Sequence, residues 1–263
     1  MTEAWIWPAG LGLLGLVLGS FIATLVIRWP EGRSVSKGRS ECDSCGKKLV
    51  PVELVPVLSY MLQRGRCRGC GGLVAPSHLV IELLGCAVGV MAGWAAPGIA
   101  GAFGAVLGWM LLALAALDYA AFWLPNALTL ALALGGLAQG LLTRAPPPLD
   151  ERLIGGVAGF AVLWLVAMAY RAVRGRHGLG GGDPKMLGAL GLWFGWMTLP
   201  FLVLFACFYG LIGVAAIGLA RRGVSGATKL PFGVLLALGA WTCWMMNQVP
   251  AQIVTVSVPL PPE

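Results

Sequence analysis

Residues 186–220 read MLGALGLWFGWMTLPFLVLFACFYGLIGVAAIGLA, a stretch without one charged side chain. As a single α-helix it would run about 52 Å at 1.5 Å per residue, whereas the hydrocarbon of a bilayer is about 30 Å thick. The stretch therefore predicts two membrane segments joined by a turn, and Thr198, Leu199 and Pro200 are the residues to make it. The sixth segment that results is short and rich in glycine, so a re-entrant segment is the alternative to a crossing. Outward from this stretch, further apolar runs fall at 5–27, 79–96, 99–117, 124–142, 153–170 and 231–249. The chain is 58% hydrophobic and 11% charged, where soluble domains run near a quarter charged. The prediction is an all-α polytopic membrane protein of about eight transmembrane helices with one small soluble loop.

Lys and Arg are retained on the cytoplasmic side of membrane proteins. With the N-terminus outside and eight crossings, the segments 28–78, 171–185 and 221–229 share one side and hold sixteen of the eighteen basic residues. Arg144 and Arg152 then face outward. A sixth segment that failed to cross would weaken this bias, so a true crossing is expected. The organisation follows: 1–27 a first transmembrane helix, 28–78 a cytoplasmic loop domain, 79–249 a seven-helix membrane domain, 250–263 a short tail. The first run has Glu3 and no basic residue ahead of it, and Arg28 and Arg33 behind it, which reads as a retained helix with its N-terminus outside rather than a secretory signal. The net charge of +7 is explained by the same bias, without a nucleic-acid groove.

The loop holds Cys42-Asp-Ser-Cys45 and Cys67-Arg-Gly-Cys70. Two residues between cysteines let one tight turn offer both thiolates, and Gly46 and Gly71 supply the backbone freedom that such a knuckle needs. Two knuckles make a closed tetrahedral site of four thiolates, which suits a structural Zn²⁺ and leaves no open position for catalysis. A redox dithiol or a pair of disulfides is the alternative, and a cytoplasmic loop disfavours it. Cys86, Cys207 and Cys243 stand singly in apolar runs and read as small buried hydrophobes.

Among the acidic residues only Glu82, Asp118 and Asp183 lie in or against the predicted spans, where an ionisable group is costly and function is the default reading. Two carboxylates in a partly dry site share a proton. The ionised one can then draw a proton from water while the other polarises a carbonyl, as in an aspartic protease. The plainer reading is helix capping, which fits Asp183 ahead of Pro184 but not Asp118 at a helix C-terminal end. Glu82 has a plain reading too, satisfaction by His78 one turn earlier. A proton-coupled transporter and a non-enzymatic assembly protein with a zinc-binding loop are the rival functions.

Taken together these residues resemble the type IV prepilin peptidase family. The resemblance runs through Gly19-Ser20-Phe21, Arg28-Trp29-Pro30, Arg39-Ser40, the two cysteine pairs and Pro56-Val57-Leu58-Ser59-Tyr60. It continues through Glu82-Leu83-Leu84, Asp118 with Leu124-Pro125-Asn126, Gly180-Gly181-Gly182-Asp183 with Lys185, and Pro231-Phe232-Gly233. It implies that Asp118 and Asp183 are the catalytic pair of an aspartyl endopeptidase, with Gly180, Gly182 and Lys185 supporting them. The substrates implied are type IV prepilins or type II secretion pseudopilins, cut after a glycine at the cytoplasmic face of the bacterial inner membrane. It also implies S-adenosylmethionine-dependent N-methylation of the new terminus. Cys42, Cys45, Cys67 and Cys70 would hold the zinc. One departure touches methylation: the family usually has Asn where this chain has Ala23.

Overall fold

The computed structural model describes residues 3–35, 40–175, 178–221 and 230–257. Lys37, Arg39, Arg176, Arg222 and Lys229 of the basic loops lie outside the described residues, as does the end of the predicted tail, 258–263. The long helices are α1 (Glu3–Arg28), α3 (Pro76–Ala95), α4 (Ile99–Ala121), α5 (Asn126–Thr143), α6 (Leu149–Arg174), α7 (Asp183–Arg221) and α8 (Phe232–Ser257). A 3-10 turn at Pro51–Leu54 and the short α2 (Leu58–Leu62) lie in the cysteine loop. Among the described residues, α1 and α3 to α7 are long and apolar enough to cross a membrane, which makes this an all-helical, multi-pass membrane protein. The chain divides into two compact units, Met1–Ala113 and Leu114–Glu263.

In the first unit α1 and α3 pack antiparallel along a seam of small residues. Gly12 lies against Cys86 and Val90, Gly19 against Ile81 and Glu82, and Gly93 against Trp7 and Pro8, so closely that a Cβ at any of them would displace its neighbour. Lipid offers no hydrophobic drive for helix association, and close backbone approach supplies the attraction instead. Trp109 Nε1 donates to the Gly85 carbonyl at 2.9 Å and adds α4 to the pair.

In the second unit the decisive element is α7. Its helical geometry breaks at Gly195 (φ 70°, ψ 175°), a conformation that glycine reaches without the Cβ penalty. The break comes before the predicted turn at Thr198–Pro200, and Pro200 sits inside the second half of the helix. Pro200 lies five residues past the break, within helical backbone, whereas the reversal itself needs a positive φ that glycine takes cheaply.

The neighbours of the two halves give their directions. Gly155 of α6 meets Gly191 and Gly195, and Gly159 meets Leu187, so the first half runs antiparallel to α6. Gly239 of α8 meets Leu202 and Ala206, and Gly210 meets Leu235, so the second half runs back alongside α8. The seven long helices thus carry the eight predicted apolar segments, with α7 folded on itself. The first half is about a dozen residues, roughly 18 Å, short for a span because its starting end stops short of the end of α6 beside it.

Candidate active site

Asp118 and Asp183 are each 5% exposed. Asp118 stands in the last turn of α4, one residue from the exposed Tyr119. Its Oδ2 accepts the backbone N–H of Val234 at 3.2 Å, so it caps the N-terminus of α8 from another element. The first N–H groups of any helix lack a partner within it, and the dipole there favours a negative group. This answers the objection that Asp118 lies at the unfavourable end of α4: the carboxylate is served by the favourable end of α8. Pro231-Phe232-Gly233 was legible as a motif but carried no role, and the structure gives it this one. A Cβ on Gly233 would lie 2.9 Å from Asp118 Oδ2 and 3.1 Å from Leu124 Cδ1. Gly233→Ala should therefore push the carboxylate out of place and lower turnover about 10- to 100-fold with little change in thermal stability, measured as initial cleavage rate beside an unfolding curve.

Asp183 begins α7, and its Oδ2 accepts the N–H of Gly180 at 2.9 Å. The bond closes the glycine turn ahead of α7 rather than capping the helix itself, since Gly180 lies before its first residue. Gly182 serves close approach rather than hinge motion, for a Cβ there would come 2.6 Å from Leu124 Cβ. Lys185 Nζ donates to Asn126 Oδ1 at 2.7 Å, tying the start of α7 to the start of α5. Leu124 touches Gly182 on one side and Gly233 on the other, so the end of α4 and the beginnings of α7 and α8 meet around it. The two carboxylates are near enough for the charge of Asp118 to act on Asp183.

This meeting point is recessed. From the pairing of Gly159 with Leu187, Asp183 falls level with the middle of α6, which continues to Arg174, about eleven residues or roughly 16 Å further. The second half of α7 extends a similar distance beyond Gly210 to Arg221, and both extensions are largely apolar.

Arg152 departs most from the sequence reading, which set it among outward charges. It is 1% exposed. Its Nε donates to Pro147 O at 2.7 Å, and its Nη1 to Gly136 O and Leu192 O at 3.0 Å and Trp193 O at 3.2 Å. Its Nη2 donates to Ala145 O at 3.2 Å and Pro146 O at 3.4 Å. A helix broken at Gly195 leaves the carbonyls of its last turn without their usual donors, and the guanidinium, with its five N–H groups, fills that need. It fastens the far end of the segment that begins with Asp183.

In the first unit the sulfur atoms of Cys42, Cys45, Cys67 and Cys70 all lie within 4.8 Å of one another and could hold a metal ion. The two knuckles repeat each other. Gly46 N–H donates to Cys42 O, and Gly71 N–H to Cys67 O, each at 2.9 Å. Gly46 and Gly71 take φ of 68° and 72°, and the bridges Glu41 to Lys48 and Arg66 to Leu73 close the two turns in the same register. The N–H groups of Cys70 and Gly69 hold the Cys67 thiol down to about 6, which favours the thiolate form that a metal needs. Behind the first knuckle Lys47 Nζ pairs with the buried Glu53 at 2.9 Å and, with the Val50 N–H, holds that carboxyl below its ordinary range. Glu82 is satisfied not by His78 but by the Val57 N–H, which donates to its Oε2 at 2.7 Å.

The class that this arrangement defines is a multi-pass membrane aspartic peptidase, and the comparisons with known proteins agree. Residues 13–96 match the bacterial peptidase A24 N-terminal domain and residues 105–215 the type IV leader peptidase family. The chain is 32% identical to a prepilin leader peptidase/N-methyltransferase of Aeromonas salmonicida (strain A449), with 90% of each chain covered. It is 36% identical to the protein of that name from Dickeya chrysanthemi, over 92% of this chain and 93% of the other. To that of Burkholderia pseudomallei (strain K96243) it is 37% identical, over 88% and 84%. No solved structure matches the chain. The chain belongs to the type IV leader peptidase family and is an enzyme of that family.

Proposed function

We propose that the protein cleaves the leader from type IV prepilins or type II secretion pseudopilins and methylates the amino terminus so exposed, at the cytoplasmic face of a bacterial inner membrane. The observation that carries the peptidase half is the meeting of Asp118 and Asp183 around Leu124, the first carboxylate held by an N–H at the start of α8 and the second by the Gly180 N–H of the loop before α7. In this reading the pair shares one proton. The ionised carboxylate takes a proton from water as the water oxygen bonds to the scissile carbonyl carbon, and the protonated carboxylate gives its proton to the carbonyl oxygen. Collapse of the tetrahedral adduct breaks the C–N bond: the departing amine takes the proton held by the first carboxylate, and a hydroxyl of the adduct returns its proton to the second as the product C=O forms. One water is consumed and both carboxylates return to their starting state. Gly180, Gly182 and Lys185 support the pair by fixing the start of α7. A proton-coupled transporter would not need the cysteine loop, and the family membership speaks against it.

The cysteine loop we assign to one Zn²⁺ held by Cys42, Cys45, Cys67 and Cys70. Four thiolates in two closed knuckles fit that ion and leave no position for substrate, so its contribution is to fold the loop. Replacing Cys42 and Cys45 by Ser should remove the bound zinc and unfold the loop while leader cleavage falls less than methylation. Metal analysis beside the two activity assays checks this.

S-adenosylmethionine, when bound, supplies a methyl group to the neutral α-amine. There its C–S bond would give way to the new N–C bond, with one proton lost from the amine. Incubating the purified protein in detergent with a pilin-like precursor and S-adenosylmethionine, then weighing the product, tests the whole reading. Leader loss with a gain of about 14 Da supports both halves. Leader loss alone refutes the methyltransferase half, and an unchanged mass refutes the proposal.

A further inference from the structure

The first unit contains a cavity of about 350 Å³ between α1, α3 and the cysteine loop, inside the range of roughly 300–1,000 Å³ typical of small-molecule sites. We propose that this cavity binds S-adenosylmethionine, with the Glu82 carboxylate facing the positive charges of the ligand. The inference rests on the methyltransferase reading above and adds the site, which that reading leaves open.

The chemistry of the lining carries the assignment. Glu41, Asp43, Glu53 and Glu82 all border the cavity, and Arg28 is the cation among the lining residues. Glu53 is paired with Lys47 and Asp43 with Arg33 and Arg28, which leaves Glu41 and Glu82 as the carboxylates offered to a cation. S-adenosylmethionine offers a sulfonium and an ammonium for those carboxylates, a single carboxylate for Arg28, and a flat adenine for the rings of Tyr60 and His78, which also line the space. Arg28 is held at the rim by Glu41 O at 3.3 Å and by Asp43 at 3.9 Å.

Glu82 is placed with more care than helix packing requires. It is 6% exposed, and one oxygen is fixed by the Val57 N–H. To make that bond Val57 adopts φ 61° and ψ −53°, an uncommon conformation for a β-branched residue. Backbone held in such a region points to preorganisation of a site. The strained residue and the carboxylate come from different parts of the chain, and Val57 acts on the cavity through Glu82, which lines it. Ala23, the departure from the family pattern, is 1% exposed, while its neighbour Thr24 and Ser20 one turn earlier line the space. Ala23 itself does not line the cavity.

The test is equilibrium binding of S-adenosylmethionine labelled in its methyl group to the full chain in detergent, with S-adenosylhomocysteine as competitor. The competitor lacks the sulfonium charge and should bind about 10-fold more weakly. Glu82→Gln should weaken binding of the labelled ligand about 10-fold and abolish this preference, which a merely structural role of Glu82 would not do. Ser59→Phe, which fills the cavity from α2, should abolish binding. Zinc content near that of the parent protein shows that each variant is folded, and the two act on different elements. Ultraviolet cross-linking of the label should map to residues 20–82.

Unchanged affinity in both folded variants, or cross-links confined to 114–263, overturns the site while methylation by the parent protein still stands. A parent protein that neither binds the label nor methylates a cleaved pilin-like peptide overturns the methyltransferase reading and this site with it. Displacement of the label by a pilin-like leader peptide alone would make the cavity a peptide groove and overturn the proposal as well.

Discussion

Asp118→Asn and Asp183→Asn are each expected to reduce leader cleavage by roughly a thousandfold or more, because residues that act as a unit fail together when either is lost. Asn has nearly the shape of Asp and can still accept the Val234 or Gly180 N–H through its carbonyl oxygen, so the cap on α8 and the glycine turn before α7 survive. It can neither take a proton from water nor share one with its partner. Zinc content and the unfolding midpoint in detergent should therefore stay close to those of the parent protein while the product disappears from the mass spectrum. Substantial cleavage by either variant alone would sink the shared-proton mechanism, whatever the other did.

Arg152→Met should be the most destabilising single change in the second unit. Met keeps much of the stem volume but supplies no donors, and the carbonyls of Gly136, Leu192, Trp193 and residues 145–147 lose the N–H groups that now satisfy them. Leaving buried polar groups unpaired costs about 1–3 kcal/mol each, so even partial relaxation leaves a loss on the order of 3–5 kcal/mol. Arg152→Lys should fall between, since an ammonium can reach only some of these oxygens. Thermal unfolding in detergent measures the effect. An unfolding midpoint within a degree or two of the parent protein for Arg152→Met would show that the guanidinium does not hold the broken helix.

The residues that the sequence exposed and those that it hid differ in a physical way. The apolar runs were legible because the bilayer imposes a length and a composition on any segment that crosses it. The cysteine loop was legible because a knuckle needs its ligands and its glycine at fixed spacing. Asp118 and Asp183 stood out because acidic groups are scarce at the ends of apolar runs. The turn inside residues 186–220 was misplaced because proline is the conspicuous breaker, while Gly195 is one glycine among many and only its φ distinguishes it. Arg152 was hidden for the opposite reason. It sits beside a polar loop, where an arginine looks like a surface charge, and its role depends on carbonyls brought in from α5 and α7. The service of α8 to Asp118 was equally out of reach, because it joins residues 116 positions apart through a backbone N–H that leaves no trace in side-chain pattern.

The recess of the aspartates some 16 Å short of the ends of α6 and α7 sets a condition on whatever is cut there. A peptide bond within an intact helix is screened by the turns on either side, and a helix entering an apolar slot keeps its internal bonds because nothing else will replace them. The substrate must unwind at the point of cleavage to bring a carbonyl within reach of water. Glycine favours the helix by about 1 kcal/mol less than alanine, so a glycine ahead of the scissile bond marks the place where unwinding is cheapest. On this view the enzyme selects its cleavage position by where the substrate helix opens as much as by side-chain fit. Substrates with a helix-breaking residue beside the cleavage point should be processed faster than equally apolar ones without it.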